Sequence, residues 1–143
     1  VIRGIKTLPL RMEQHQKNAF AIAKWLQEQP RAQYVLYPGL ENHPGYEINK
    51  AQTTGFGGMI SFAVDNAETA RQILEGVKLI KFAESLGGTE SLITYPIRQT
   101  HTDLTAEECA EKGITDCLLR FSTGIEATQD LIDDLAQAFA AVE

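Results

Sequence analysis

The chain has 143 residues, 43% of them hydrophobic and 22% charged, which suits one globular domain able to bury a core without disulfide or metal support. Thirteen Lys and Arg face nineteen Asp and Glu, for a formal charge of -6. That balance argues against nucleic acid and against anionic membrane surfaces, since both are bound by clustered Lys and Arg. Charged side chains interrupt every apolar stretch well short of the ~18 residues of a spanning helix. The opening Val1-Ile2-Arg3-Gly4 has neither an initiator Met nor the plan of a signal peptide, so the sequence is expected to be part of a longer cytoplasmic protein. Residues 1–50, 51–100 and 101–143 carry net charges of +3, -1 and -8, which predicts an acidic, solvated helix near the C-terminus.

Leu8, Met12, His15, Ala19, Ile22 and Leu26 recur at alternating spacings of 4 and 3 and predict an amphipathic helix over about 8–28. Thr7 is placed to cap it, and Pro30 forbids its continuation. Residues 33–37 read as a short strand closed by Pro38-Gly39, and a weak helix follows at 46–52. The glycines of Gly55-Phe56-Gly57-Gly58 precede a strand over 57–64. A phosphate-binding loop would instead follow a strand, so a turn that lets the backbone enter the sheet closely is the better account. Asp65 and Asn66 cap a helix with Ala67, Ala70, Ile73, Leu74 and Val77 on its apolar side. Strands are expected at 78–83 and 91–95. Thr105 and Glu108 form a capping-box pair for a short helix ended by Gly113. A strand over 116–122 leads to a last helix over 128–142, with Leu131, Leu135, Ala138, Phe139 and Val142 inward. Few, short strands joined in part without helices predict an α+β (α/β sandwich) domain: a mostly antiparallel sheet of four to five strands with helices packed on one face.

Three features bear on chemistry. His15, His43 and His101 are widely separated and make no metal-ligand spacing, and Cys109 and Cys117 form no CxxC pair, so no metal site is expected and both thiols are expected to be reduced. His15, on the apolar stripe, is expected to be a hydrogen-bonded core or interface histidine. Arg120 lies within Cys117-Leu118-Leu119-Arg120-Phe121-Ser122, where a guanidinium needs an anion. Two anions suit it: an acid of this chain, or a carboxylate ligand gripped by its planar fork. Pattern alone leaves both open. The small-residue stretch Glu84-Ser85-Leu86-Gly87-Gly88-Thr89-Glu90-Ser91 reads as a loop, with no GxSxG elbow to make Ser85 a hydrolase nucleophile.

Taken in order, Arg3–Met12, Tyr37-Pro38-Gly39-Leu40, His43-Pro44-Gly45, Gly55–Phe62, Glu84–Leu92 and Leu119–Glu126 resemble the pyridoxal-phosphate enzymes of cysteine and methionine metabolism. This trans-sulfuration family includes cystathionine γ-synthase, cystathionine β- and γ-lyases and methionine γ-lyase. The resemblance is to the family's smaller C-terminal domain, of fold-type I, and implies that an N-terminal domain holding the pyridoxal 5'-phosphate and its Schiff-base lysine is absent from these 143 residues. None of the seven lysines stands in a segment like the cofactor-lysine motif, so the chain alone is expected to bind no cofactor and to be inactive. The resemblance assigns the substrate α-carboxylate to Arg120, support of that arginine to Thr100, and positioning of the cofactor lysine to Ser85. It puts Glu84 where cystathionine-handling members often have Glu. The expected substrates are cystathionine, O-acylhomoserine and cysteine, handled by a full-length homo-oligomer, a tetramer as is usual in the family. Ile97-Arg98-Gln99 departs from the small-residue version of many lyases, which leaves synthase and lyase both open. An alternative is a stand-alone, non-catalytic amino-acid-binding or regulatory module derived from that domain.

Overall fold

The computed structural model describes residues 1–99 and 104–143. A one-turn helix, α1 (Ile2–Ile5), precedes α2 (Leu8–Gln27), β1 (Ala32–Leu36), α3 (Tyr46–Gln52), β2 (Met59–Val64) and α4 (Ala67–Gly76). There follow β3 (Lys81–Phe82), β4 (Leu92–Thr94), a 3-10 turn at Pro96–Arg98, α5 (Ala106–Glu111), β5 (Leu118–Ser122) and α6 (Thr128–Ala140). The strands form one sheet in the order β1-β2-β5-β4-β3. Every pairing is antiparallel except β3 with β4, which is parallel, so the sheet is mostly antiparallel as the sequence predicts.

Alternation along the strands sorts side chains between two faces. On one face Val35, Ile60, Phe62, Val64, Ile93, Leu119 and Phe121 meet Ile22 and Leu26 of α2, Ile73 of α4, and Leu131, Leu135 and Phe139 of α6. Phe139 packs edge-on to Trp25, with centroids 5.5 Å apart, a geometry favoured by the ring quadrupole. The second face carries a much smaller cluster of Cys109, Ile114 and Leu118 beside Ile97 and Leu104. Thus α2, α4 and α6 make the helical layer, while α5 and its flanks shield only the Leu118 end of the opposite face. Among the described residues, no helix is long and apolar enough to cross a membrane.

The predicted start and stop signals are realised at several ends. Asn66 Oδ1 accepts from the Thr69 amide at 2.8 Å. Thr105 and Glu108 form the reciprocal capping box, and Gly113, at φ +68°, follows α5 in the left-handed conformation open to glycine. The expectations for α2, β3 and the acidic helix need correction. Thr7 makes no side-chain cap; its hydroxyl donates to the Gly4 carbonyl instead. Leu8 and Met12 are exposed although they share the apolar stripe, because α2 is buried only from His15 onward and its first turns overhang the sheet. The strand expected at 78–83 shrinks to Lys81–Phe82. Its physical cause lies in α6, where Asp134 accepts the amides of Lys78 (2.8 Å), Leu79 (3.0 Å) and Ile80 (2.9 Å) and so withdraws them from any ladder. Asp134 is therefore buried, although Asp130 and Asp133 of the same helix are solvated as expected.

Candidate functional site

The second face of the sheet is the candidate site. Cross-strand register places Leu36 beside Ser61, Ser61 beside Arg120, and Arg120 beside Thr94, one row across four strands. Arg120 stands in the middle of that row, between two short hydroxyl side chains. Its guanidinium Nη2 donates to Thr94 Oγ1 at 3.4 Å, a long bond, and Thr94 Oγ1 in turn donates to the Ala83 carbonyl at 3.0 Å. The Arg120 Nε is buried and has no hydrogen-bond partner among the described residues. The described ion pairs are Arg31–Asp65, Arg71–Glu68 and Arg71–Glu75, so no described carboxylate answers Arg120. Of the two anions open to Arg120 on sequence grounds, the described part of this chain does not provide the first. A half-buried guanidinium without a described carboxylate partner is suited to a planar, two-oxygen acceptor.

The 84–91 loop lies against the same strand. Its Gly87 amide donates to Ser122 Oγ at 3.0 Å, two residues along β5 from Arg120. Glu84 and Ser85 are exposed, and neither bonds to Arg120. Thr100 and His101 lie outside the described residues. The sequence gives no sign of Thr94, Ser122 or Glu126 as parts of this arrangement, because the bonds that enlist them span 11 to 35 residues and follow no short spacing.

Behind the loop, the segment Ser122–Glu126 is tied down from several sides. The buried His15 Nδ1 donates to the Thr123 carbonyl at 2.6 Å, and the Thr123 hydroxyl meets the carbonyls of His15 and Gly58, each at 3.0 Å. His15 is thus the hydrogen-bonded core histidine its position predicts. Gly58 runs so close that a Cβ there would lie 2.8 Å from Thr123 Oγ1, which is the close backbone entry the glycine segment predicts. His43 Nδ1 accepts the Gly45 amide within a turn. Cys109 and Cys117 are free, and burial, with Asp116 beside it, pushes the Cys117 thiol up. Tyr37 is fully buried, donates to the Gly57 carbonyl at 2.9 Å, and has its pKa pushed up to about 12 by burial.

Two concavities lie elsewhere. One groove of about 580 Å³ runs between Phe20, Lys24, Tyr46 and Phe56, and another of about 420 Å³ between Met12, Gln16 and Gly55. Both are lined from α2 and the segments around α3, away from Arg120. No group of three or more metal-ligating side chains is present among the described residues.

Comparison with known proteins now gives the face its context. The model of the Cys/Met metabolism PLP-dependent enzyme family matches residues 1–140. The chain belongs to this family, whose members depend on pyridoxal phosphate. It is 51% identical over 138 residues to cystathionine gamma-lyase of Dictyostelium discoideum and 51% identical over 139 residues to cystathionine gamma-synthase of Haemophilus influenzae, covering 96% and 97% of this chain. It spans only 36% and 33% of those relatives' lengths. The crystal structure of cystathionine gamma synthase from Xanthomonas oryzae pv. oryzae, in complex with aminoacrylate and cysteine, superposes with a TM-score of 0.92 at 44% identity, over 96% of this chain and 36% of that one. Cystathionine gamma-lyase from Lactobacillus plantarum, complexed with L-serine, gives 0.93 at 41% identity, over 98% and 37%.

The described residues of this face do not make a cofactor cage. Lys24 and Lys50 lie over the rings of Phe20 and Tyr46, and Lys81 Nζ bonds to the Lys78 carbonyl, so these amines are engaged away from Arg120. The face offers one guanidinium, held by Thr94, and small hydroxyls, a donor set for a two-oxygen anion.

Proposed function

We propose that this chain is the C-terminal, substrate-binding part of a trans-sulfuration enzyme, and that Arg120 holds the α-carboxylate of its amino-acid substrate. The observation that carries this reading is the buried Arg120 Nε without a partner among the described residues, on a sheet face left uncovered by the helical layer. Thr94 engages Nη2 by one long bond, and the rest of the half-buried guanidinium remains for two carboxylate oxygens. Fixing that carboxylate removes the freedom of the substrate to rotate and so sets the direction of its Cα–H bond. Pyridoxal phosphate, when bound, supplies the electron sink for the bonds at Cα and beyond. In this reading the cofactor and its lysine belong to residues outside these 143, and the chain alone is inactive. The family resemblance assigns positioning of the cofactor lysine to Ser85 and further support of Arg120 to Thr100, and it puts Glu84 where cystathionine-handling members often have Glu. Ser85 and Glu84 are both on the loop pinned beside β5 through Gly87. The reaction is C–S cleavage of cystathionine or γ-replacement on an activated homoserine.

Steady-state kinetics of the intact protein test this. Arg120→Ala is expected to lower kcat/KM by at least about 100-fold for cystathionine and for O-acylhomoserine with cysteine alike, since every substrate carries the carboxylate. Arg120→Lys keeps the charge but not the fork and should recover only part of the loss. An unchanged kcat/KM in Arg120→Ala would remove Arg120 from the site.

A further inference from the structure

We propose that Glu126 is a positioning residue for this site: it clamps the end of the 84–91 loop onto the β5 end, so that Glu84 and Ser85 stand at a set distance from Arg120. The proposal rests on the Arg120 reading and adds to it the device that holds loop and strand in one frame.

The clamp is built from complementary groups. One Glu126 carboxylate oxygen accepts the Ser91 amide N–H at 2.6 Å, and the other accepts the Ser91 hydroxyl at 2.8 Å. The Ser91 hydroxyl oxygen accepts the Gly124 amide at 2.7 Å, and the Ile125 amide donates to the Thr89 carbonyl at 2.9 Å. A single residue thus presents two donors side by side, and only a two-oxygen fork answers both. Gly124 permits this approach, because a Cβ there would collide with the backbone of Thr89 and Glu90. Asn18 of α2 secures the far side, its amide donating to the carbonyls of Gly124 and Glu126 at 3.0 Å each, while the Thr128 hydroxyl donates to Asn18 Oδ1 at 2.6 Å. Glu126 takes part in none of the described ion pairs. Amide and hydroxyl donors therefore meet its charge, as expected of a group whose task is geometric.

The loop is consequently pinned at three places that converge on β4 and β5: at its root through Ala83 to Thr94, at its middle through Gly87 to Ser122, and at its end through Ser91 to Glu126. The first pin shares its hydroxyl with Arg120. Releasing the last one lets the loop move relative to the guanidinium without touching it.

Kinetics of the intact protein carrying Glu126→Ala, Glu126→Gln and Ser91→Ala, with Arg120→Ala in parallel, decide the matter. Glu126→Ala is expected to lower kcat/KM about 10–100-fold, the effect of a misplacement on the order of 1 Å, with kcat bearing the larger share. Glu126→Gln, which keeps one acceptor for the Ser91 amide, should recover part of the loss. Ser91→Ala combined with Glu126→Ala should be no worse than Glu126→Ala, because both remove one clamp. Should Glu126→Ala fail to fold, the comparison of Glu126→Gln with Ser91→Ala reads the same clamp. Folded clamp variants with kcat and KM within twofold of the parent, while Arg120→Ala is impaired, overturn the clamp and leave the carboxylate site standing. An unimpaired Arg120→Ala overturns both.

Discussion

The two faces of β5 are built from alternate residues of one five-residue strand and do opposite work. Leu119 and Phe121 are fully buried in the helix-covered core, whereas Arg120 and Ser122 point to the face that the helical layer leaves uncovered. On the first face they join an apolar cluster with Ile60, Phe62 and Ile93, and the strand is held by exclusion of water. On the second, neighbours are small hydroxyls, and the guanidinium keeps a buried N–H that nothing described satisfies. A natural chain tolerates such a group where a ligand completes it, and on the proposed reading of Arg120 the two-residue period of a strand separates stability from function.

Chemical denaturation should bring that separation out most strongly at adjacent positions. Phe121→Ala is expected to destabilise the protein by about 3–5 kcal/mol through the cavity it leaves. Arg120→Leu, one residue away, should change stability by less than about 1 kcal/mol, because it removes a guanidinium without an acidic partner among the described residues. A loss at Arg120 as large as that at Phe121 would break the comparison. Asp134→Ala comes next, at about 2–3 kcal/mol, since it orphans the amides of Lys78, Leu79 and Ile80 that lead into β3. Hydrogen exchange at those amides should rise sharply in the variant. A smaller loss than at Asp134 belongs to α5, on the sparsely covered face, where Thr105→Ala removes a cap worth about 1 kcal/mol. This cap has a pH signature. The Thr105 amide and hydroxyl groups hold the Glu108 carboxyl below its usual range, so its contribution is present above the ordinary carboxylate pKa of about 4.3 and is lost as pH falls through the lower folded value. The difference in melting temperature between Glu108→Ala and the parent should therefore narrow on acidification.

The elements were legible wherever local physics decides them. The 3.6-residue stripe of α2, the Asn66 cap, the Thr105 and Glu108 box and the alternation of β5 are all written within a few adjacent residues. Arg120 could be singled out for the same reason, as a charge inside an apolar run. What escaped depends on distant partners: the shortening of β3 by Asp134, and the enlistment of Ser91 by Glu126 across 35 residues. The exposure of Leu8 and Met12 is of the same kind, since a periodic stripe says which way a helix faces but not how far the sheet beneath it extends.

The strand order carries a consequence for how this protein is made. The middle of the sheet is β5, the last strand in the sequence, flanked by β2 and β4. Until residues 118–122 leave the ribosome, the β1–β2 and β4–β3 pairs are two separate ribbons, each with an unpaired hydrogen-bonding edge. Joining them requires closure of the long segment between β2 and β5, a non-local step that is slow and leaves the nascent chain open to aggregation. The strand that completes the sheet also carries Arg120, so the face proposed to bind the substrate comes into being in the same event that seals the fold.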